Sequence, residues 1–383
     1  MQLKHGRHLA YCTNIHRGET WAETFSALQT HALAVRDRVC PHQPFAIGLR
    51  LGERAARELS EPGELLKFQT WLDKNSSYVF TINGFPFGAF HGTRVKEQVY
   101  RPDWTSPERL AYTNLLFDLL AQLVPAGVEG SVSTLPGSFK EFITTPEQEN
   151  EIRKNIFSCV EHIARVSEKS GRTLHLGLEP EPLGLFENTA ETISFFDQLR
   201  TGCQNDSRIN EFLGVNYDCC HFAVEFEEPH ATLAAFQKAD IKISKLHLSS
   251  ALKVAPTPAV RAELKKFADD VYLHQVIVRD ETGKLKFYRD LPDALNLQPS
   301  EEWRIHFHVP LHAPAAPPFA NTNDHLLGVL DWLAANPKLC SHLEMETYTW
   351  EVLPAELKSQ NVVEQLAAEY GWTLTELKRR GLA

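Results

Sequence analysis

The sequence predicts a parallel α/β fold closed into a (β/α)8 TIM barrel, and three observations lead there. Short apolar runs alternate with longer helical patterns along 383 residues, the runs number eight, and none is followed by a glycine-rich GxGxxG or GxxxxGK[ST] turn. Such alternation marks a parallel sheet, and eight strands are what a closed barrel needs. An open doubly wound sheet, the competing arrangement, ordinarily carries a phosphate-binding glycine loop. At 43% hydrophobic residues the chain can bury a large core, and no repeat or low-complexity linker divides it, so 1–383 reads as one barrel domain.

Taken in order, LAYCTNIH (9–16) precedes the helical WAETFSALQTHALAVRDRV, and FAIGLRLG (45–52) precedes ERAARELSEPGELLKFQTWL. YVFTINGF (78–85) leads through a longer loop to SPERLAYTNLLFDLLAQLV, and EGSVSTLPG (129–137) leads to EQENEIRKNIFSCVEHIARVSEKS. LHLGLEPEP (174–182) precedes NTAETISFFDQLR, and FLGVNYDCCHF (212–222) precedes EPHATLAAFQKA. IKISKLHLSS (241–250) and KLCSHLEMETYTW (338–350) supply the seventh and eighth strands, with HLLGVLDWLAA between them.

The segment 251–312 departs from the alternation. It runs through a helical patch to YLHQVIVRDETGKLKFY, a β-hairpin with DETGK as its turn, and then to a strand-like EWRIHFHVPLH (302–312). We read it as an elaborate loop above the barrel mouth, the end at which such barrels carry their chemistry. APTPAV and HAPAAPPF read only as local breakers.

Composition excludes some function classes. A net charge of −10 and a pI near 5.9 leave no basic footprint for phosphate backbones, so no nucleic-acid partner is expected. The N-terminal MQLKHGRHLAYC lacks an apolar signal core, and no window approaches the ~18 apolar residues of a membrane span. A cytoplasmic protein without membrane insertion is the expectation. Seven cysteines without a CxxC pair point to reduced, buried thiols rather than a disulfide framework.

Alternate residues of a strand share a face. In the fifth run Leu174, Leu176 and Leu178 face the helices, while His175, Gly177, Glu179 and Glu181 face the interior, carboxylates last. In the sixth, Leu213, Val215 and Tyr217 point outward and Gly214, Asn216 and Asp218 inward, with His221 three residues on. Ile243, Lys245 and His247 share a face in the seventh, and His342, Glu344 and Glu346 in the eighth. Four neighbouring strands thus end in Glu, Asp, His and Glu. As solvated strand ends each is unremarkable, but together at one mouth these carboxylates repel unless a cation lies among them. Mixed carboxylate and imidazole donors suit Mn, Zn, Co or Fe better than Ca.

Other residues have competing readings. His16 ends the first strand, and Asn83 and His91 follow the third amid Phe85, Phe87 and Phe90, as in a small-molecule pocket or a plain aromatic rim. Lys140 could pair with an anionic substrate or stay solvated. Cys219 and Cys220 flank Asp218 as soft ligands or, better, as small packing residues, and His175 and His342 read as hydrogen-bonded core histidines. Glu346 is preferred to Glu344 as a ligand because it lies nearer the strand's C-terminal end.

These motifs, in this order, resemble the xylose isomerase-like superfamily of sugar isomerases, ketose 3-epimerases and endonuclease IV-type enzymes. LEPEP resembles a strand-five IEPKP, DCCH a D-x-x-H, LHLSS an I-H-L, LEMET an L-E-T, and RIHFH the D-x-H or H-x-H of a loop after strand seven. The resemblance implies a divalent metal (Mn, Zn, Co, Fe or Mg) held by Glu179, Asp218, His247 and Glu346. It implies His306 and His308 as loop ligands of multi-metal members, and His221 as a metal or substrate contact. Glu181 stands where the sugar isomerase has a catalytic lysine, a departure from that chemistry. TNIHRGETW, TINGFPFGAFH, STLPGSFK, HFHVPL and METYTWEVLP further resemble the EboE group of metabolite traffic proteins.

Three functions follow as expectations. The leading one is isomerisation or epimerisation of a small polyhydroxylated or carbonyl metabolite, with Glu179 or Glu346 as base, His221 beside the substrate oxygens, and His16, Asn83, His91 and Glu181 as substrate contacts. The others are metal-assisted hydrolysis of a phosphoester by a two- or three-ion cluster, and a non-catalytic small-molecule carrier working with partner proteins of an export pathway.

Overall fold

Eight parallel strands pair edge to edge until the last meets the first. The computed structural model describes residues 1–92, 94–296, 301–313, 317–353 and 361–383. The barrel strands are β1 His8–Cys12, β2 Phe45–Arg50, β3 Ser77–Asn83, β4 Gly130–Thr134, β5 Leu174–Leu178, β6 Leu213–Asp218 and β7 Lys242–Leu248. After four strands of a second sheet, β8 Ala251–Val254, β9 Val276–Arg279, β10 Leu285–Tyr288 and β11 Glu302–His308, come β12 Phe319–Asn321 and the closing barrel strand β13 His342–Met345. β13 pairs with both β1 and β7 and completes the ring.

Local signals set the helices between them. Thr20 and Thr145 each form a capping box, with Glu23 and Gln148, at the starts of the helices Trp21–Ala27 and Pro146–Ser170. The second helix stops at Gly171, whose φ of 67° is the left-handed conformation that glycine adopts without penalty. Leucines, isoleucines and phenylalanines facing outward from the strands meet these helices in one continuous core. Among the described residues, no helix is long and apolar enough to cross a membrane.

The barrel interior is polar, where such barrels are ordinarily filled by branched apolar side chains. The register of β6 and β7 slips between Val215 and Asn216, so Ser244 and Lys245 both reach inward and Ile243 joins the outer core. This corrects the expected shared face of Ile243 and Lys245: the bulge breaks the period of two. Strands are also shorter than the apolar runs, so Glu179 and Glu346 stand one residue past their strands and Glu181 lies in the following loop.

The segment after β7 is more ordered than a loop with a hairpin. β9 and β10 form the expected hairpin, and with β8, β11 and β12 they make an antiparallel five-stranded sheet in the order β10-β9-β11-β8-β12. Leu252, Val254, Leu264, Val276, Trp303 and Phe307 give it its own apolar core. The strands β8 and β12 escape sequence reading because runs of four and three residues beside prolines carry no resolvable period.

The C-terminal helix Val362–Arg379 turns Glu369 into the core, where Leu311 N and Thr347 Oγ1 donate to its Oε1 at 3.0 and 3.1 Å and Oε2 has no partner. Burial pushes this carboxyl up to about 7. Because the folded value exceeds the unfolded one, the stability tied to this proton is complete below pH ~4 and lost as the pH rises through 7. Glu369→Gln is therefore expected to be more stable than the wild type at pH 8, by on the order of 2–3 kcal/mol, with little difference at pH 4. Urea unfolding at the two pH values checks this, and a pH-independent difference would remove Glu369 as its origin.

Candidate metal centre

The C-terminal ends of β5, β6, β7 and β13 bring Glu179, Asp218, His247 and Glu346 together, all buried, with one donor atom from each within 4.8 Å of the others. His247 Nδ1 is the hub, lying 2.6 Å from Glu346 Oε2 and 3.3 Å from both Glu179 Oε1 and Asp218 Oδ2. Carboxylates this close repel by about 3 kcal/mol per pair at an effective dielectric of ~20. Burial works against charge on His247, yet the surrounding carboxylates, Glu346 foremost, hold its imidazole well above the ordinary value. The donor set is one that a divalent cation satisfies.

The supports around this set fix which atoms face inward. Glu344, buried one turn of the pleat below, takes His247 Nε2 at 3.1 Å and Lys245 Nζ at 2.5 Å. Its carboxyl is held down to about 2 against burial by Lys245 and His247. A ligating histidine whose second nitrogen is tied to a carboxylate has its tautomer and orientation set, and Nδ1 is then the donor. There is room for that carboxylate only because residue 48 is glycine: a Cβ there would lie 1.8 Å from Glu344 Oε1.

Asp218 divides its labour. Its Oδ1 caps the helix Cys219–Val224, accepting from Cys220 N at 2.7 Å and His221 N at 3.2 Å, and also takes the Ser249 hydroxyl at 2.6 Å. Oδ2 is left for the centre. Burial opposes its ionisation, but His221, His308 and His247 hold it well below the usual carboxylate range. Glu346, pushed up to about 8 by burial and by its acidic neighbours, is anchored through Oε1 by Asn14 Nδ2 at 2.6 Å and Asn83 Nδ2 at 3.5 Å.

A second set lies beside the first and shares Asp218. His221, His306 and His308 each tie Nδ1 to an oxygen, of Pro180, Gln275 and the Glu346 carbonyl, at 3.0, 2.7 and 3.0 Å. Each ring thereby turns its Nε2 toward its neighbours, and among the described residues the buried Nε2 atoms of His306 and His308 have no hydrogen-bond partner. Burial holds both rings below the ordinary histidine value, His308 at about 4, so their Nε2 lone pairs are free at neutral pH. Donor atoms of Asp218, His221 and His308, and of Glu181, His221 and His306, fall within 4.8 Å of one another. Glu179 Oε2 and Glu181 Oε1 are likewise buried without partners among the described residues. Imidazole and carboxylate donors left open in this way fit a second transition-metal ion.

No family model and no curated protein matches the sequence. Solved structures do match. The chain aligns with D-psicose 3-epimerase with D-tagatose from Clostridium cellulolyticum H10 at a TM-score of 0.52 and 11% identity, over 98% of this chain and 100% of that one. The IOLI protein with a binding zinc atom aligns at 0.51 and 11%, over 97% and 98%. A xylose isomerase domain protein from Alicyclobacillus acidocaldarius subsp. acidocaldarius aligns at 0.50 and 12%, over 98% and 99%. The chain has the xylose isomerase-like barrel fold.

On that fold, a cavity opens over the two ligand sets. Asn83, Glu179, Glu181, His221, His306 and Glu346 line its floor, and Phe85, Phe90, Tyr100, Tyr272 and Tyr348 its walls. Two expected substrate contacts are not there. His16 binds the Tyr11 hydroxyl through Nε2 and stacks on His31 with centroids 4.6 Å apart. His91 spends both ring nitrogens on the Asn14 carbonyl and the Tyr272 hydroxyl. His16 braces the rim because the first strand ends at Cys12 and the chain then turns through Thr13–Ile15, and His91 does so from the segment after β3. Lys140 pairs with Glu187 and Glu191, so it is not an open anion contact.

Cys219 and Cys220 are buried free thiols. Cys220 packs on Val224, Ala251 and Ile277, and its sulfur also comes within 4.8 Å of donor atoms of His306 and His308. Burial raises that thiol well above its usual value. Asn14, Gln275 and the three tyrosines were missed in the sequence. Asn14 alone had a signal, a polar residue in TNIH at the mouth end of the first strand.

Proposed function

We propose that this chain is a divalent-metal-dependent enzyme that moves a proton on a small polyhydroxylated or carbonyl metabolite, in an isomerisation or epimerisation. One observation carries the reading: Glu179 and Glu346 belong to a buried four-donor set at the floor of an aromatic-walled cavity. Glu179, Asp218, His247 and Glu346 would hold the cation. When bound, it supplies Lewis-acid stabilisation of negative charge on adjacent substrate oxygens.

The chain's own groups do the rest. Glu346 is fixed through Asn14 and Asn83, whereas Glu179 Oε2 is unpartnered and adjoins the cavity, so Glu179 is the carboxylate placed to take or return a proton. His221 Nε2, 4.0 Å from Glu181 Oε2, is placed to orient a substrate hydroxyl. Burial pushes the Glu181 carboxyl above the usual carboxylate range, at the position where the sugar isomerase motif has lysine. The aromatic walls exclude water from the transfer. The motifs shared with the EboE group support a place for this reaction in the processing of a metabolite for export, alongside partner proteins of that pathway.

The test uses the manganese-loaded chain with a panel of ketoses and keto acids in deuterated water. Deuterium should appear at the carbon beside the carbonyl, and Glu179→Gln should slow it by ~100-fold or more while leaving the circular dichroism unchanged. Wild-type exchange in that variant would remove Glu179 from the proton transfer.

A second reading, hydrolysis of a small phosphate ester, is favoured by the three bare imidazole nitrogens of the second set. The number of ions that Asp218→Asn removes separates the two. One ion, with proton exchange, supports the first reading; two or more, with phosphatase activity on p-nitrophenyl phosphate, support the second.

A further inference from the structure

The opposite end of the barrel carries its own constellation. His175 on β5 and His342 on β13 point to the barrel axis near its N-terminal face, and Glu129, just before β4, closes over them. His175 Nδ1 is hydrogen-bonded to Ser244 Oγ at 2.7 Å and His342 Nδ1 to Ser131 Oγ at 2.8 Å; Ser131 in turn is held by Thr81 Oγ1 at 2.8 Å. With both Nδ1 atoms committed to hydroxyls, both Nε2 atoms turn toward the same point.

Neither Nε2 has a proper partner there. Among the described residues, His342 Nε2 is buried with no hydrogen bond, and His175 Nε2 lies 3.6 Å from Glu129 Oε2, too long for one. Ligands about 2.0–2.1 Å from a tetrahedral zinc ion stand about 3.3 Å apart, close to that separation. The three donor atoms lie within 4.8 Å of one another, and the Glu129 side chain is 50% exposed, so it can swing the remaining distance and leaves a way in from solvent.

We propose that Glu129, His175 and His342 form a further zinc-class site at the N-terminal end of the barrel, separate from both ligand sets at the mouth. Two imidazoles and a carboxylate, each imidazole oriented by a hydroxyl, make a donor set suited to zinc with a water as fourth ligand. The ion would clamp the start of β4 to β5 and β13, across the ring rather than along its edge. The bland alternative, two core histidines satisfied by hydroxyls beside a Glu129 carboxylate that accepts from Ser341 Oγ at 3.3 Å, leaves the buried His342 Nε2 without a hydrogen bond.

The experiment counts zinc by elemental analysis after the full chain is stripped with chelator and dialysed against Zn2+ at pH 7.5. Three forms are compared: Asp218→Asn, which disables the mouth, the same variant with His175→Gln and His342→Gln, and the same variant with Glu129→Ala. The first should keep one zinc per chain, the second none, and the third should bind it ~10-fold more weakly by titration. Glu129 is half exposed, so its variant tests the site even if the buried pair fails to fold. No retained zinc in Asp218→Asn, equal zinc in the first two forms, or an unchanged affinity in Glu129→Ala overturns the proposal.

Discussion

Asp218→Asn is expected to lower the affinity of the barrel mouth for zinc or manganese by at least about 100-fold, more than loss of an orienting residue around a metal costs. The asparagine can keep what Asp218 Oδ1 does: it still accepts from Cys220 N, His221 N and the Ser249 hydroxyl, so the helix Cys219–Val224 keeps its cap. What changes is Oδ2, which becomes an amide that turns hydrogens toward His247 Nδ1, 3.3 Å from Oδ2 in the wild type. Because Oδ2 stands between the four-donor set and the three histidines, a single substitution injures both. Isothermal titration with each metal checks this; wild-type affinity in a folded variant would mean that Asp218 is a helix cap and nothing more.

Lys245→Met should be the most destabilising single change inside the barrel. Lys245 and Glu344 are both fully buried, 2.5 Å apart, with Ser133 Oγ 3.1 Å from the ammonium. Removing one member of such a pair strands the other charge, at a cost of roughly 3–5 kcal/mol, whereas neutral partners of similar shape are far better tolerated. Lys245→Met combined with Glu344→Gln should therefore regain most of that loss. Urea unfolding of the four forms gives the coupling directly. Additive losses would show that the two charges stabilise the barrel independently. The single variant should also weaken metal binding, because Glu344 then has only His247 to orient it.

Much of this was legible in the chain, and the exceptions have physical reasons. The eight apolar runs and their inward carboxylates announced the barrel and the four-donor set because strand ends concentrate polar groups on a strict period of two. The period failed where the backbone departs from it: at Ser244, where a slip in register turned two consecutive side chains inward, and at His16, where the strand ended early and the chain turned away. Glu344 beside Glu346 is no bystander, and only its distances to Lys245 and His247 show that. Asn14 and the tyrosines of the cavity wall reach the mouth through tertiary folding, for which no local pattern exists.

The sheet formed by β8 to β12 has a consequence for how the mouth is owned. Asp218 and His247 lie on barrel strands and Glu179 and Glu346 one residue past theirs, whereas His306 and His308 arrive on β11, inside a segment spliced between β7 and β13 and built around its own apolar core. Only Ser249 and Ser250 separate β7 from that insert. The first set is thus complete in the bare barrel, and the second exists only where barrel and insert meet. The mouth is composite by construction: one set of donors is carried by the barrel, the other partly by an insert whose alteration would leave every barrel donor in place.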